Sequence, residues 1–206
     1  MNIKDLQKQL IVQLGERLTD FGFGKKAKSQ TFYRPFEGGW SCVHLSFIDH
    51  AEDFDVTVDV SIRFNKVEEL VNSKNHILTK KEKEQTSTLG VELGNLSVGQ
   101  QLRWGISSQD QVSSVIDSIL DAFKTYGEPY LKKYCSLKNV FELLSSDDKS
   151  VWIHCPFHAT RAKKAVAIAK LLNHPDIKTQ ILVKKQFLEN MKDFGLQDFV
   201  IFSDSL

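Results

Sequence analysis

The chain has 206 residues, with 27 Lys and Arg against 26 Asp and Glu, a formal charge of +1. So small a net charge supplies no global field to steer it onto nucleic acid or an acidic membrane, and neither is expected as a partner. The length allows roughly 70% of the unfolded chain's surface to be buried, so no structural metal, cofactor or disulfide is needed for folding, and the odd, widely spaced cysteines Cys42, Cys135 and Cys155 fit a reducing, cytoplasmic setting.

The opening segment mixes polar and apolar residues and does not read as a secretion signal. Ile3, Leu6, Leu10, Leu14, Leu18 and Phe21 recur at helical spacing, which predicts an amphipathic helix. It stops at "FGFGKK", where Gly22 takes the left-handed position and Lys25 and Lys26 sit beside the negative end of the helix dipole. These glycines follow a helix instead of opening one, and the G-x-x-x-x-G-K-[ST] spacing is missing, so the stretch is not read as a phosphate loop.

"TFYRPF" and "WSCVHLSFI", separated by Glu37, Gly38 and Gly39, predict a hairpin with Val43, Leu45 and Phe47 pointing inward. In "FDVTVDVSIRF", Phe54, Val56, Val58, Val60, Ile62 and Phe64 alternate strictly with Asp55, Thr57, Asp59, Ser61 and Arg63. That period of two predicts a strand with one buried and one wet face, in an antiparallel sheet covered on a single side. "LGVELGNL" and "QLRWGI" read as further short strands. Between them, Lys66 to Asn72 suggests a short helix, and the lysine-rich Lys74 to Thr88 a solvated, mobile loop.

A second strong helix is predicted in "SSQDQVSSVIDSILDAFKTYG", with Ser108 and Gln111 as a capping box and Val112, Val115, Ile116, Ile119, Leu120 and Phe123 as its stripe. Gly127 is expected to end it, Pro129 to start another short helix, and "SLKNVFELL" to be helical.

"VWIHCPFHATRAKK" gathers His154, Cys155 and His158. Pro156 disfavours helical geometry at Cys155, so the two histidines do not share a helical face, and no second zinc-type pattern completes a ligand set. No metal is expected. The stretch reads instead as an extended piece, Ser150 to Ile153, followed by a helix with Pro156 in its first turn, Phe157, Ala165, Ile168, Ala169 and Leu172 packed, and Lys163, Lys164 and Lys170 solvated. A break at Asn173-His174-Pro175 and a further helix ending at Gly195 make a helical hairpin.

The fold expected is therefore α+β: a four- or five-stranded antiparallel sheet with two long helices on one face over residues 1–145, and a helical hairpin annex over residues 146–206. No G-x-S-x-G elbow appears, and Cys42 with His44 lacks a third residue to orient the base. The wet side of the sheet is the candidate partner-binding surface, carrying Asp55, Asp59 and Arg63, with His44 beside them and Arg34 and Arg103 joining. The same side serves equally as an ordinary solvated sheet face. The function expected is a non-enzymatic protein-binding module; the alternative is a small hydrolytic or ligand-binding domain using His44 with Asp55 or Asp59.

"LTDFGFGKKAKSQTFYRPFEGGWSCVHLSF" and "LRWGISSQDQVSSVIDSILDAFKTYGEPYLKKYCSLKNVFELL" resemble a bacterial domain-of-unknown-function family, which opens with an amphipathic helix and a "GF-basic-basic … F-Y-R" strand start. The resemblance spans Leu6 to Leu144, rests mainly on core and turn positions, and does not extend to the last sixty or so residues. Members include proteins encoded near polymorphic toxins and taken for their immunity factors. The resemblance thus implies a toxin as protein partner and transfers no catalytic residue.

Overall fold

The computed structural model describes residues 2–28, 30–97 and 102–206; Gln101, at the start of the last predicted strand, lies outside them. The fold is α+β. Its first half runs α1 (Ile3–Leu18), β1 (Thr31–Phe36), β2 (Gly39–Asp49), β3 (Phe54–Phe64), α2 (Asn65–Val71), α3 (Lys80–Gln85), β4 (Leu89–Glu92), α4 (Leu93–Ser97) and β5 (Trp104–Ile106). Helices follow: α5 (Gln111–Ala122), α6 (Glu128–Tyr134), α7 (Leu137–Ser145), α8 (Lys149–Trp152), α9 (His158–Leu171), α10 (Ile177–Asn190) and α11 (Leu196–Asp204). The sheet is five-stranded and open, in the order β1-β2-β3-β4, with β5 also pairing antiparallel to β3 through Phe54↔Ile106 and Val56↔Trp104.

Two compact units form, Met1–Ile62 with Val91–Lys133, and Arg63–Gly90 with Tyr134–Leu206. Neither is a continuous stretch of chain, so the division differs from the expected 1–145 and 146–206.

In the first unit, the Asn2 side chain caps α1 by accepting from the Asp5 N–H at 2.9 Å, and Leu6, Leu10, Leu14 and Leu18 are buried. At Gly15 a Cβ would lie 2.3 Å from the Lys25 backbone carbonyl oxygen and 2.7 Å from the Phe32 ring, so the close approach of that backbone requires a glycine. Gly22 closes the helix with φ 80°, left-handed as read from the sequence, and Gly38 turns the hairpin with φ 82°. α5 packs on α1 and starts at Gln111, whose side chain reaches back to accept from the N–H groups of Ser107 and Ser108. The N-cap position is Asp110, which makes no side-chain cap bond; of the expected Ser108/Gln111 box, the half in which Gln111 accepts from the Ser108 N–H is present. Gly127 does not end the helix. Residues Phe123–Gly127 form a π turn that runs directly into α6, placing the widened turn just before Pro129, where the missing N–H and ring would break a regular ladder. Gly127 is required for contact: a Cβ would lie 2.7 Å from Phe123 and 2.9 Å from Leu93. The predicted strand "LGVELGNL" splits, turning helical at Leu93.

In the second unit, α9 is the central element and contacts α2, α7, α10 and α11. Its alanines favour helix and let neighbours approach on several sides. Lys163 and Lys164, expected in solvent, are only 6% and 7% exposed because α9 has no free side there. Pro156 precedes the N-cap Phe157 instead of entering the helix, and Ser150 to Ile153, read as extended, falls mostly in the short helix α8. α9 and α10 end at Asn173 and Lys192, both at φ 50°, where His174 and Asp193 N–H groups close Schellman turns on Ala169 and Leu188. The expected hairpin gains a third helix, α11, whose Phe199 and Phe202 are buried. Gly195 starts that helix as its N-cap as well as following α10. The Lys74–Thr88 segment contains α3, fixed by a Thr79/Glu82 capping box.

Candidate partner-binding face

Strand register assigns each candidate to a side. Pairing Thr31 with His44 and Tyr33 with Cys42 puts those four residues on one side of the sheet, whereas Phe32 with Val43 and Arg34 with Ser41 take the other. β3 continues the division: Val56, Val58, Val60 and Ile62 are fully buried, and Asp55, Thr57, Asp59 and Ser61 alternate with them. The second side is polar but not uniformly wet, since Cys42 and Thr57 on it are buried.

Arg34 does not join this face. Its guanidinium lies on the side of Phe32, 4.6 Å above the Phe23 ring. There Nη1 donates to the Phe21 carbonyl at 3.0 Å and to both Glu128 carboxylate oxygens at 3.1 and 2.9 Å, while Nε donates to Ser41 Oγ. It ties strand to helix within the first unit. The signal was present in the sequence, because Arg34 stands two residues from Phe32 and strand parity places both on one side.

Arg63 does not lie open on this face either. At the end of β3 it is 6% exposed, with Nε donating to Asn65 Oδ1 at 3.0 Å and Nη1 to the Lys83 carbonyl at 2.9 Å and Thr86 Oγ1 at 2.8 Å. Burial lowers its pKa from the ordinary arginine value. It anchors the segment read as a mobile loop.

His44, Asp55, Asp59 and Arg103 do share the polar side. His44 Nδ1 is 2.8 Å from Thr31 Oγ1. Asp55 is met by His50 Nε2 at 3.4 Å and Arg103 Nη1 at 3.8 Å, a cluster about half exposed on its basic side. Burial raises the Asp59 pKa, and His44 partly offsets this by favouring the charged form. Glu92, which the sequence reading did not single out, belongs here too: burial raises its pKa, Asp59 adds repulsion, and a Leu102 backbone hydrogen bond and Arg103 oppose the shift. Glu92 Oε1 is enclosed without a hydrogen-bond partner. The alternation of Leu89 and Val91 with Gly90 and Glu92 carried that placement in the sequence.

Cys42 is pushed up to about 12, chiefly by burial, so its thiol stays protonated at neutral pH and is a poor nucleophile. Asp55, one of the two carboxylates suggested for His44, is occupied by His50 and Arg103, which leaves Asp59 as the acid in His44's field.

In the second unit His154, Cys155 and His158 diverge. His154 lies against Tyr134, Cys155 Sγ is 3.9 Å from Lys164 Nζ, and His158 Nδ1 is 2.7 Å from Arg161 Nη2. Among the described residues, no group of three or more His, Cys, Asp and Glu side chains is placed to hold a metal ion. Nor is any described helix long and apolar enough to cross a membrane.

No protein-family model, curated protein or solved structure matches this chain.

Proposed function

We propose that the chain is a non-enzymatic protein-binding module that recognises its partner through the polar side of its sheet. The observation that carries this reading is the Asp55, His50 and Arg103 cluster, in which charges of both signs are held against one another on β3 and beside β5 while still reaching solvent. Asp55 is fixed on β3, and His50 and Arg103 reach it from the segments just after β2 and just before β5; charge pairs of this kind set partner choice and orientation more than raw affinity. The partner is a toxin, the class that the family resemblance implies, and binding occurs in the cytoplasm. At a net charge of +1 the chain does not rely on bulk acidity to mask a basic groove, so the association is only mildly weakened by salt.

Co-expression with the product of the adjacent gene, followed by affinity purification and calorimetry, tests the reading. Arg103→Glu and Asp55→Arg should each weaken binding tenfold or more, about 1.4 kcal/mol, with thermal unfolding nearly unchanged. A partner that binds both variants as tightly as the wild type removes this face from consideration.

A further inference from the structure

A second surface, independent of the sheet face, lies at the start of α9. A cavity of about 350 Å³ opens between residues 156–160 and 193–198, at the small end of the roughly 300–1,000 Å³ range of ligand sites. Phe157, expected in the packed face of α9, and Phe194 stand on it 68% and 96% exposed, one aromatic ring left in water from each of the two lining segments. Close packing of Gly195 on Ala159 shapes the cavity, and a Cβ at Gly195 would lie 2.5 Å from the Ala159 Cβ. The N-cap of α9 offers no side-chain oxygen, so the first helical N–H groups, on lining residues His158, Ala159 and Thr160, lack a capping acceptor. Asp193 and Asp198 are the carboxylates of the lining; Asp198 is paired with Lys163 Nζ, and Asp193 lies in the field of the buried Arg161.

We infer that this cavity docks a segment of a partner protein that presents one large apolar side chain flanked by lysine or arginine. The aromatic rims and the volume suit a single apolar anchor. The uncapped N–H groups suit the carbonyls of the segment's backbone. Asp193 and Asp198 select a basic flank and repel an acidic one, although Asp198 already meets Lys163 at 2.5 Å, so Asp193 supplies most of the selection.

The test titrates the full chain, followed by amide resonances of Ala159, Thr160 and Gly195, with a pool of blocked pentapeptides carrying a central Phe between two Lys. A matched pool with Glu for Lys, and free indole, serve as comparisons. The Lys pool should bind at least tenfold more tightly than the Glu pool. Phe194→Ala, at an exposed position that leaves the fold intact, should abolish saturation, and Asp193→Asn, which keeps the oxygen bonded to the Gly195 N–H, should weaken the Lys pool by about two- to fivefold. Absence of shifts at about 1 mM Lys pool overturns the inference. So does equal binding of the two pools, or indole binding as tightly as the Lys pool, which would mark a small-molecule site. Self-association of the chain that is lost in Phe194→Ala would assign the surface to a second copy and overturn it as well.

Discussion

Strand β3 and helix α9 are both enclosed by their neighbours, but they reach that state differently. β3 sorts its residues by parity: one side is a run of Val and Ile with no exposure, and the charges lie on the other. α9 does not sort them. Arg161, Lys163 and Lys164 are buried in the same helix as Ala165, Val166, Ala167 and Ile168, and each cation meets specific groups, although Arg161 Nε has no hydrogen-bond partner. Lys164 Nζ donates to the Ser87 carbonyl at 2.7 Å with Glu68 Oε1 at 3.8 Å, Lys163 meets Asp198, and Arg161 Nη1 donates to the Cys155 carbonyl at 2.9 Å. The strand's stability is thus spread over many apolar contacts. The helix concentrates its vulnerability in a few pairs.

The sharpest way to break this comparison is Lys164→Met. It leaves Glu68, 1% exposed and with Oε1 already lacking a hydrogen bond, without its ion-pair partner and with only the more distant charge of Arg63 to offset it. A loss of about 3–5 kcal/mol is expected in urea unfolding, much of it recovered by adding Glu68→Gln. Lys178→Met on exposed α10 should change stability by less than about 0.5 kcal/mol. Equal effects at the two lysines would show that α9 gains nothing from its pairs.

The strand counterpart is Ile62→Ala, expected to cost about 2–5 kcal/mol by leaving a cavity, with Ile62→Val costing about 0.5–1.5 kcal/mol. Such a graded response is the mark of an apolar face. A smaller effect follows from Arg63→Met, which removes the donors holding the Lys83 and Thr86 carbonyls and Thr86 Oγ1. We expect a loss of roughly 2 kcal/mol and faster amide exchange across residues 83–88. Unchanged exchange there would mean that the capping box of α3 orders the segment alone.

The same contrast explains what the sequence disclosed. Periodicity marked α1, β2, β3 and α5, because each has one apolar side whose spacing survives in the residue order. It also contained the positions of Arg34 and Glu92, through parity with Phe32 and Val91. It did not disclose that Lys163 and Lys164 are buried, since a lysine's local signature is that of a solvated face and the groups that neutralise it, Ser87, Glu68 and Asp198, are remote in sequence. Arg63 escaped for the same reason: its neighbours in β3 indicate an outward position, and only the return of the chain at 83–88 covers it. α11 was hidden because Gly195, which follows α10, is also the N-cap of the next helix.

The smallest effect concerns the polar side of β3, where charge is less completely matched than in α9. Asp59 and Glu92 both have pKa values raised above their ordinary ones, burial being the main cause for each and their mutual repulsion a further one for Glu92. A carboxyl whose folded pKa is raised binds its proton more tightly in the native than in the unfolded state. Below the unfolded values, about 3.9 for Asp and 4.3 for Glu, both states are protonated and the groups contribute no difference. As pH rises from there through the raised folded values, the native state loses stability, and the full penalty applies above them. Asp59→Asn and Glu92→Gln remove the charge, so either variant should match or exceed the wild type in stability at pH 7, by up to about 1 kcal/mol. The difference should shrink as pH falls toward 4. Chemical unfolding at pH 4 to 8 measures it. If Asp59→Asn is instead less stable at pH 7 and converges with the wild type only in acid, His44 and its neighbours match the Asp59 charge fully, and β3 resembles α9 more closely than its alternation suggests.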